Sequence, residues 1–250
     1  LEDLNQYNPR IIEPVCGSYR VYEICSMAPP SSGGIALIQI LNILENIDLS
    51  SFEHNSEEYL KILISAMAYA YKDRAEYLGD PNFFDVPQNL ITSKKYANKI
   101  YKLIQKGKLP SKAAVKINEG EETTHFSIID KWGNAVSNTY TLNTAYGSGI
   151  IPSGTGILMN NEMDDFSLKP GYPNAYGLIG SEANKIEPKK TPLSSMSPVI
   201  VFYGDKPYLI TGSPGGSTII TSVLQEILNV LDFKLSLKES SNKSRIHFQH

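Results

Sequence analysis

A junction carries the residues that could do chemistry. The polar, acidic run Asn118-Glu119-Gly120-Glu121-Glu122 leads into Thr123-Thr124-His125-Phe126-Ser127-Ile128-Ile129-Asp130, whose period of two predicts a strand. A threonine at the head of a strand becomes a nucleophile once the chain is cut before it. The freed α-amino group, with a pKa of roughly 7.7–8.0, is then a base near neutral pH, so one residue supplies nucleophile and base together. The cut can use the same hydroxyl. Thr123 attacks the carbonyl of Glu122, an N→O shift leaves an ester, and water opens it. By residue types alone, an ordinary loop-to-strand transition is the stronger reading of the same stretch.

The elements that would hold this junction follow from hydrophobic period. A hairpin is predicted between Pro14 and Met27. Pro29-Pro30-Ser31-Ser32-Gly33-Gly34 then breaks the chain before a helix over 35–47. A second helix runs to Leu78, with Ser56 as N-cap and Glu57 and Glu58 in its first turn. A third covers 93–105. Residues 106–122 lack period and read as a mobile linker. Beyond Thr123 the strand turns at Lys131-Trp132-Gly133-Asn134 and returns over 135–142. Further strands are expected at 156–160, 198–203 and 208–211, and Gly212-Ser213-Pro214-Gly215-Gly216-Ser217 opens a helix over 218–231. Helices, then hairpins, then a helix predict an α+β fold with helices packed on antiparallel sheets.

Composition removes other readings. The 250 residues carry 23 basic and 26 acidic side chains, a net charge of −3, which gives no footprint for nucleic acid or an anionic membrane. Cys16 and Cys25 flank the first hairpin; a bridge is open to them, though two buried thiols are the expectation. Thr211-Gly212-Ser213-Pro214-Gly215 misses the first glycine of a nucleophile elbow. His54, His125, His247 and His250 lack metal-ligand spacing, and Glu162, Asp164 and Asp165 lack that of a calcium loop.

Several ordered motifs then change the weighting at Thr123. Thr123-Thr124-His125-Phe126-Ser127, Thr139-Tyr140-Thr141-Leu142-Asn143, Gly156-Ile157-Leu158-Met159-Asn160-Asn161-Glu162-Met163-Asp164-Asp165, Pro192-Leu193-Ser194-Ser195-Met196-Ser197-Pro198 and Gly212–Ser217 resemble the γ-glutamyltransferase (glutathione hydrolase) family. Pro29–Gly34 and Glu76-Tyr77-Leu78-Gly79-Asp80-Pro81 match upstream, so the likeness runs nearly the whole length in order. The resemblance implies an N-terminal-nucleophile hydrolase with an αββα sandwich, made as a precursor that cuts itself between Glu122 and Thr123. Residues 1–122 would belong to the large subunit and 123–250 to the small, catalytic one.

Carried over position by position, it makes Thr123 the nucleophile, with Thr141 orienting it. Asn143, Glu162 and Asp165 would hold the substrate α-ammonium, and Ser194 and Ser195 its α-carboxylate. Gly215 and Gly216 would offer N–H groups to the oxyanion, a role that two glycines ahead of a helix support independently. The loop 170–177 would be a lid carrying the gating aromatic Tyr176.

Implied partners are glutathione and other γ-glutamyl compounds, amino-acid or peptide acceptors, and the two subunits for each other. No cofactor, metal or nucleic acid is implied, and the expected compartment is periplasmic or secreted. The chain reads as the middle of a precursor with both ends of the family fold missing. The family's carboxylate-binding arginine has no equivalent named here, since Arg10, Arg20 and Arg74 lie in other contexts. The parent would then be active and the isolated fragment not. Two alternatives stand beside this reading: a cephalosporin-acylase-like relative, and an unprocessed non-catalytic fragment.

Overall fold

Apolar side chains at helical spacing build the first layer. In the computed structural model, which describes residues 2–110 and 122–249, a short helix α1 (Glu2–Gln6) precedes the buried helix α2 (Gly33–Leu44). Helix α3 (Glu57–Tyr77) starts where the Ser56 hydroxyl accepts the Tyr59 N–H, and α5 (Lys94–Gln105) where Ser93 accepts that of Tyr96. Both are ordinary side-chain N-caps. The short α4 (Gln88–Ile91) lies between them, and α6 (Ile219–Leu231) and α7 (Leu237–Asn242) close the chain. Helix α7 was not anticipated; its capping box, Ser236 with Glu239, is the signal that marks it.

These helices cover a four-stranded antiparallel sheet. Its order is β1 (Val15–Tyr19), β2 (Tyr22–Ser26), β5 (Val199–Tyr203), β6 (Lys206–Thr211). Val199, Val201 and Leu209 point into one core with Leu37, Leu41, Leu63, Met67, Ile220 and Leu224. A separate hairpin, β3 (Thr124–Ile129) and β4 (Ala135–Tyr140), meets the sheet where the Ser137 hydroxyl donates to the Thr211 carbonyl at 3.0 Å. The hairpin leaves Phe126, Ile128, Ile129, Val136 and Tyr140 exposed. The arrangement is α+β, as expected.

Two expectations change, and a third falls outside the described residues. The Gly156–Asn160 strand is absent: Met159 pairs instead with Ile150 and Ser148 in an irregular loop. Gly154 and Gly156 there have φ of +80° and +67°, outside the extended region. Cys16 and Cys25 are not buried thiols. They are register partners in the β1–β2 ladder, where direct opposition lets them form a disulfide. Most of the expected linker, residues 111–121 of 106–122, lies outside the described residues.

Candidate active site

Register puts the junction residues together. Thr124 pairs with Tyr140, so Thr123 and Thr141 face each other one step beyond the ladder. The Thr123 hydroxyl donates to Thr141 Oγ1 at 3.0 Å, and Thr141 Oγ1 also accepts the Asn143 N–H at 2.9 Å. The same backbone turn gives Asn143 a φ of +75°, a left-handed conformation asparagine tolerates better than most side chains.

Thr123 itself has a φ of +91°, unusual for a β-branched residue. On its other side the Glu122 carbonyl accepts the Gly215 N–H at 2.7 Å. A backbone donor is thus already aimed at the carbonyl that the Thr123 hydroxyl would attack. Gly215, at φ +110°, adopts a conformation that suits glycine. Gly216 is needed for space: an added Cβ would lie 2.3 Å from the Tyr176 ring.

The Tyr176 side chain reaches the site from the loop 170–177. Asn174 Oδ1 accepts the N–H groups of Tyr176 and Leu178, shaping the turn. The Tyr176 hydroxyl donates to the Asn143 carbonyl at 2.7 Å, and its own carbonyl accepts from Gln249 Nε2 at 3.0 Å. The ring is buried against Gly216, while Tyr172 on the same loop is exposed.

Glu162 and Asp165 lie on one turn of 3₁₀ helix, Glu162–Asp165. Burial raises both carboxyl pKa values. A mutual hydrogen bond and the neighbouring negative charge push Asp165 further, well above the usual carboxylate range. Two acids this close favour sharing a proton until a cation arrives.

Ser194 is tied to the other half of the sequence. It forms a parallel bridge with Ser31. Its N–H donates to the Pro30 carbonyl at 2.9 Å, and its carbonyl accepts from Ser32 N at 2.9 Å and Ser32 Oγ at 2.8 Å. Ser31 Oγ donates to the Met196 carbonyl at 2.7 Å.

Thr123, Thr141, Asn143, Asp165, Tyr176, Ser194, Ser195, Gly215 and Gly216 all line one narrow cleft. Glu162 is not among the residues lining this cleft and reaches it through its interaction with Asp165. A wider groove, walled by Tyr7, Ile12, Met27, Ile200 and Phe202, brings none of these residues together.

The sequence reading sets Arg74 aside and gives Ser31 and Ser32 no role at the site, whereas the structure brings all three to it. Arg74 is 4% exposed; its Nε donates to Ser32 Oγ at 3.0 Å and an Nη to Ser195 Oγ at 3.2 Å. A signal was present: Arg74 continues the stripe Leu63, Met67, Ala70 at helical spacing, where a charge is out of place. The described histidines bond elsewhere: His54 to Asn229, His125 to Thr139 and Ser127, His247 to Thr221 and Gln249; His250 lies outside the described residues. Among the described residues the one group of three side chains close enough to share a metal ion is Cys16, Glu23 and Cys25, and there the two sulfurs are joined to each other.

A family model described as Gamma-glutamyltranspeptidase matches residues 1–250. The chain is 50% identical over 253 residues to the glutathione hydrolase proenzyme of Escherichia coli strain K12, an alignment taking in 99% of this chain and 44% of that protein. It is 47% identical to the glutathione hydrolase proenzyme of Pseudomonas sp. strain A14, again over 99% of this chain and 44% of that protein. The chain therefore spans less than half the length of these curated relatives. Among solved structures, a mutant Helicobacter pylori gamma-glutamyltranspeptidase is 58% identical over 50% of this chain and 68% of that chain, with a TM-score of 0.50. A cephalosporin acylase from Bacillus halodurans is 27% identical over 94% of this chain and 40% of that chain, with a TM-score of 0.74.

Proposed function

The chain belongs to the gamma-glutamyltranspeptidase family, and from that premise we propose that it carries the catalytic centre of a self-cleaving γ-glutamyltransferase with glutathione hydrolase activity. The observation that carries this reading is the pair of contacts at the junction: the Thr123 hydroxyl on Thr141 at 3.0 Å and the Glu122 carbonyl on the Gly215 N–H at 2.7 Å.

Maturation comes first. Thr123 Oγ attacks the Glu122 carbonyl carbon, and the developing oxyanion is held by the Gly215 N–H. The C–N bond breaks as the ester forms, and the proton lost by the hydroxyl ends on the new amine. Water hydrolyses the ester, leaving the Glu122 carboxylate and a free Thr123. The sequence is then divided into 1–122 and 123–250, the large- and small-subunit parts.

Turnover repeats the chemistry on substrate. The Thr123 amine takes the hydroxyl proton while Oγ attacks the γ-glutamyl amide carbon. Gly215 and Gly216 N–H groups hold the oxyanion, a contribution worth about 2.7–4 kcal/mol per donor. The amine returns the proton to the leaving nitrogen, cysteinylglycine when glutathione is the substrate. Water or an amino-acid or peptide acceptor then takes the γ-glutamyl group. No step uses a cofactor.

Asn143, Glu162 and Asp165 hold the α-ammonium, and Ser194 and Ser195 the α-carboxylate. The raised carboxyl pair supports the first assignment, because an ammonium displaces the shared proton and gains charge-assisted hydrogen bonds. A glutaryl group has no ammonium, so an acylase specificity would leave this pair unused. Export to the periplasm or outside the cell agrees with the Cys16–Cys25 disulfide, which persists in oxidising compartments.

The test uses the full-length parent protein. Thr123→Ala is expected to remain one chain and to hydrolyse no γ-glutamyl p-nitroanilide. A Thr123→Ala protein that is still cut and still active would overturn the proposal.

A further inference from the structure

Arg74 is a buried cation with no carboxylate in ion-pair contact among the described residues. Its helical neighbours on the same stripe, Leu63, Met67 and Ala70, are apolar. A guanidinium removed from water is costly unless hydrogen-bonded and balanced by an anion. Its two observed partners are both serine hydroxyls, and both belong to the segments that meet at Ser194 and Ser195.

The two contacts are not equivalent. Ser32 Oγ accepts from Arg74 Nε and passes its own proton to the Ser194 carbonyl at 2.8 Å. That arm fixes the backbone of Ser194. Ser195 Oγ accepts from an Arg74 Nη, and among the described residues its hydroxyl proton goes to no protein acceptor. Ser195 lines the cleft that also holds Thr123 and Asp165. A hydroxyl whose oxygen is engaged from behind by a cation has its proton left to donate forward. The positive charge behind it strengthens that donation and attracts an anion.

We propose that Arg74 is the positioning residue of the α-carboxylate subsite: it aims the Ser195 hydroxyl at the substrate carboxylate and supplies, from beneath the cleft floor, a positive charge that the carboxylate balances. The inference rests on the reading of this cleft as a γ-glutamyl site. It also joins the two recognition halves, since Arg74 and Asp165 attract each other through space. Arg74 comes from the 1–122 part and Ser195 from the 123–250 part, so the subsite is complete only when both are present.

The experiment compares three p-nitroanilides on the full-length, self-cleaved protein: γ-glutamyl, 4-aminobutanoyl (no α-carboxylate) and glutaryl (no α-ammonium). Arg74→Met keeps the length of the side chain and removes the charge. The expected result is at least a tenfold rise in KM for the γ-glutamyl substrate with a smaller change in kcat. The 4-aminobutanoyl substrate should change little, so its disadvantage relative to γ-glutamyl shrinks. Ser195→Ala should cost less in the Arg74→Met background than alone. A purely structural role would depress all three substrates alike, and that outcome would overturn the proposal.

If Arg74→Met fails to fold or to cut itself, Arg74→Lys decides. It keeps the charge but not the fork, so intermediate discrimination is expected and wild-type discrimination contradicts the proposal. A wild-type enzyme that prefers glutaryl to γ-glutamyl would instead overturn the underlying reading of the site.

Discussion

At Thr123 the uncut chain holds a β-branched residue at φ +91°, a conformation that costs roughly 1–3 kcal/mol. Breaking the Glu122–Thr123 bond removes that torsion altogether, so the strain favours the direction of maturation. Asp165 shows a second cost carried for function. Its carboxyl pKa is raised by burial and by Glu162, so the folded chain holds this proton to higher pH than the unfolded chain does. Stability is therefore greatest below the ordinary carboxylate pKa and declines as pH rises through the folded value. Asp165→Asn, placed in the cleavage-blocked Thr123→Ala chain, should raise the melting temperature at neutral pH by a few degrees, roughly what 1 kcal/mol does at this size. In the self-cleaved enzyme the same change should raise KM for γ-glutamyl p-nitroanilide at least tenfold. The pair must ionise to hold an ammonium, so KM of the unmodified enzyme should fall as pH rises through the pair's titration. A pH–KM profile that is flat across that range, or an Asp165→Asn chain that melts lower, would contradict this account.

At the scale of elements, close approach between the 170–177 loop and the turn ahead of α6 sets the shape of the site. An alanine Cβ at 216 would lie 2.3 Å from the Tyr176 ring, so Gly216→Ala must displace the ring or the N–H groups proposed as oxyanion donors. It should lower kcat on the order of a hundredfold, as loss of one such donor does. Adding Tyr176→Ala should cost less in that background than alone, because the clash is gone; strict additivity in steady-state kinetics would argue against the contact. Regular elements were the legible part of this layout. Ser56 and Ser93 announce the starts of α3 and α5, and the period of two announces the hairpin that opposes Thr123 with Thr141. The strand expected at 156–160 failed because Ile157-Leu158-Met159 is an apolar run bounded by glycine at positive φ, and an apolar run alone does not specify a ladder partner. The expectation of two buried thiols fails because opposition of Cys16 and Cys25 depends on hairpin register, which two residues more or less in the turn would change. Arg74 is set aside by the sequence reading because its partners are distant in sequence, 42 residues to Ser32 and 121 to Ser195.

At the scale of the whole molecule, the two parts on either side of the junction are interleaved. Strand β2 from the first pairs with β5 from the second, α2 and α6 share one core, and Pro30, Ser31 and Ser32 are laced to Ser194 and Met196. Cutting one peptide bond leaves all of this intact. The cleaved parent should migrate as one species in native gel filtration and separate into two chains only in denaturant; separation under native conditions would show that the shared sheet does not hold them. The motif-bearing residues were legible as a set, and their common cleft was not, because it is assembled from both parts of the sequence.

The measurement that bears most directly on the central claim is intact mass with N-terminal sequencing of the purified full-length parent. Two chains are expected, the smaller beginning Thr123-Thr124-His125. A single uncut chain, or a cut at any other bond, would contradict it.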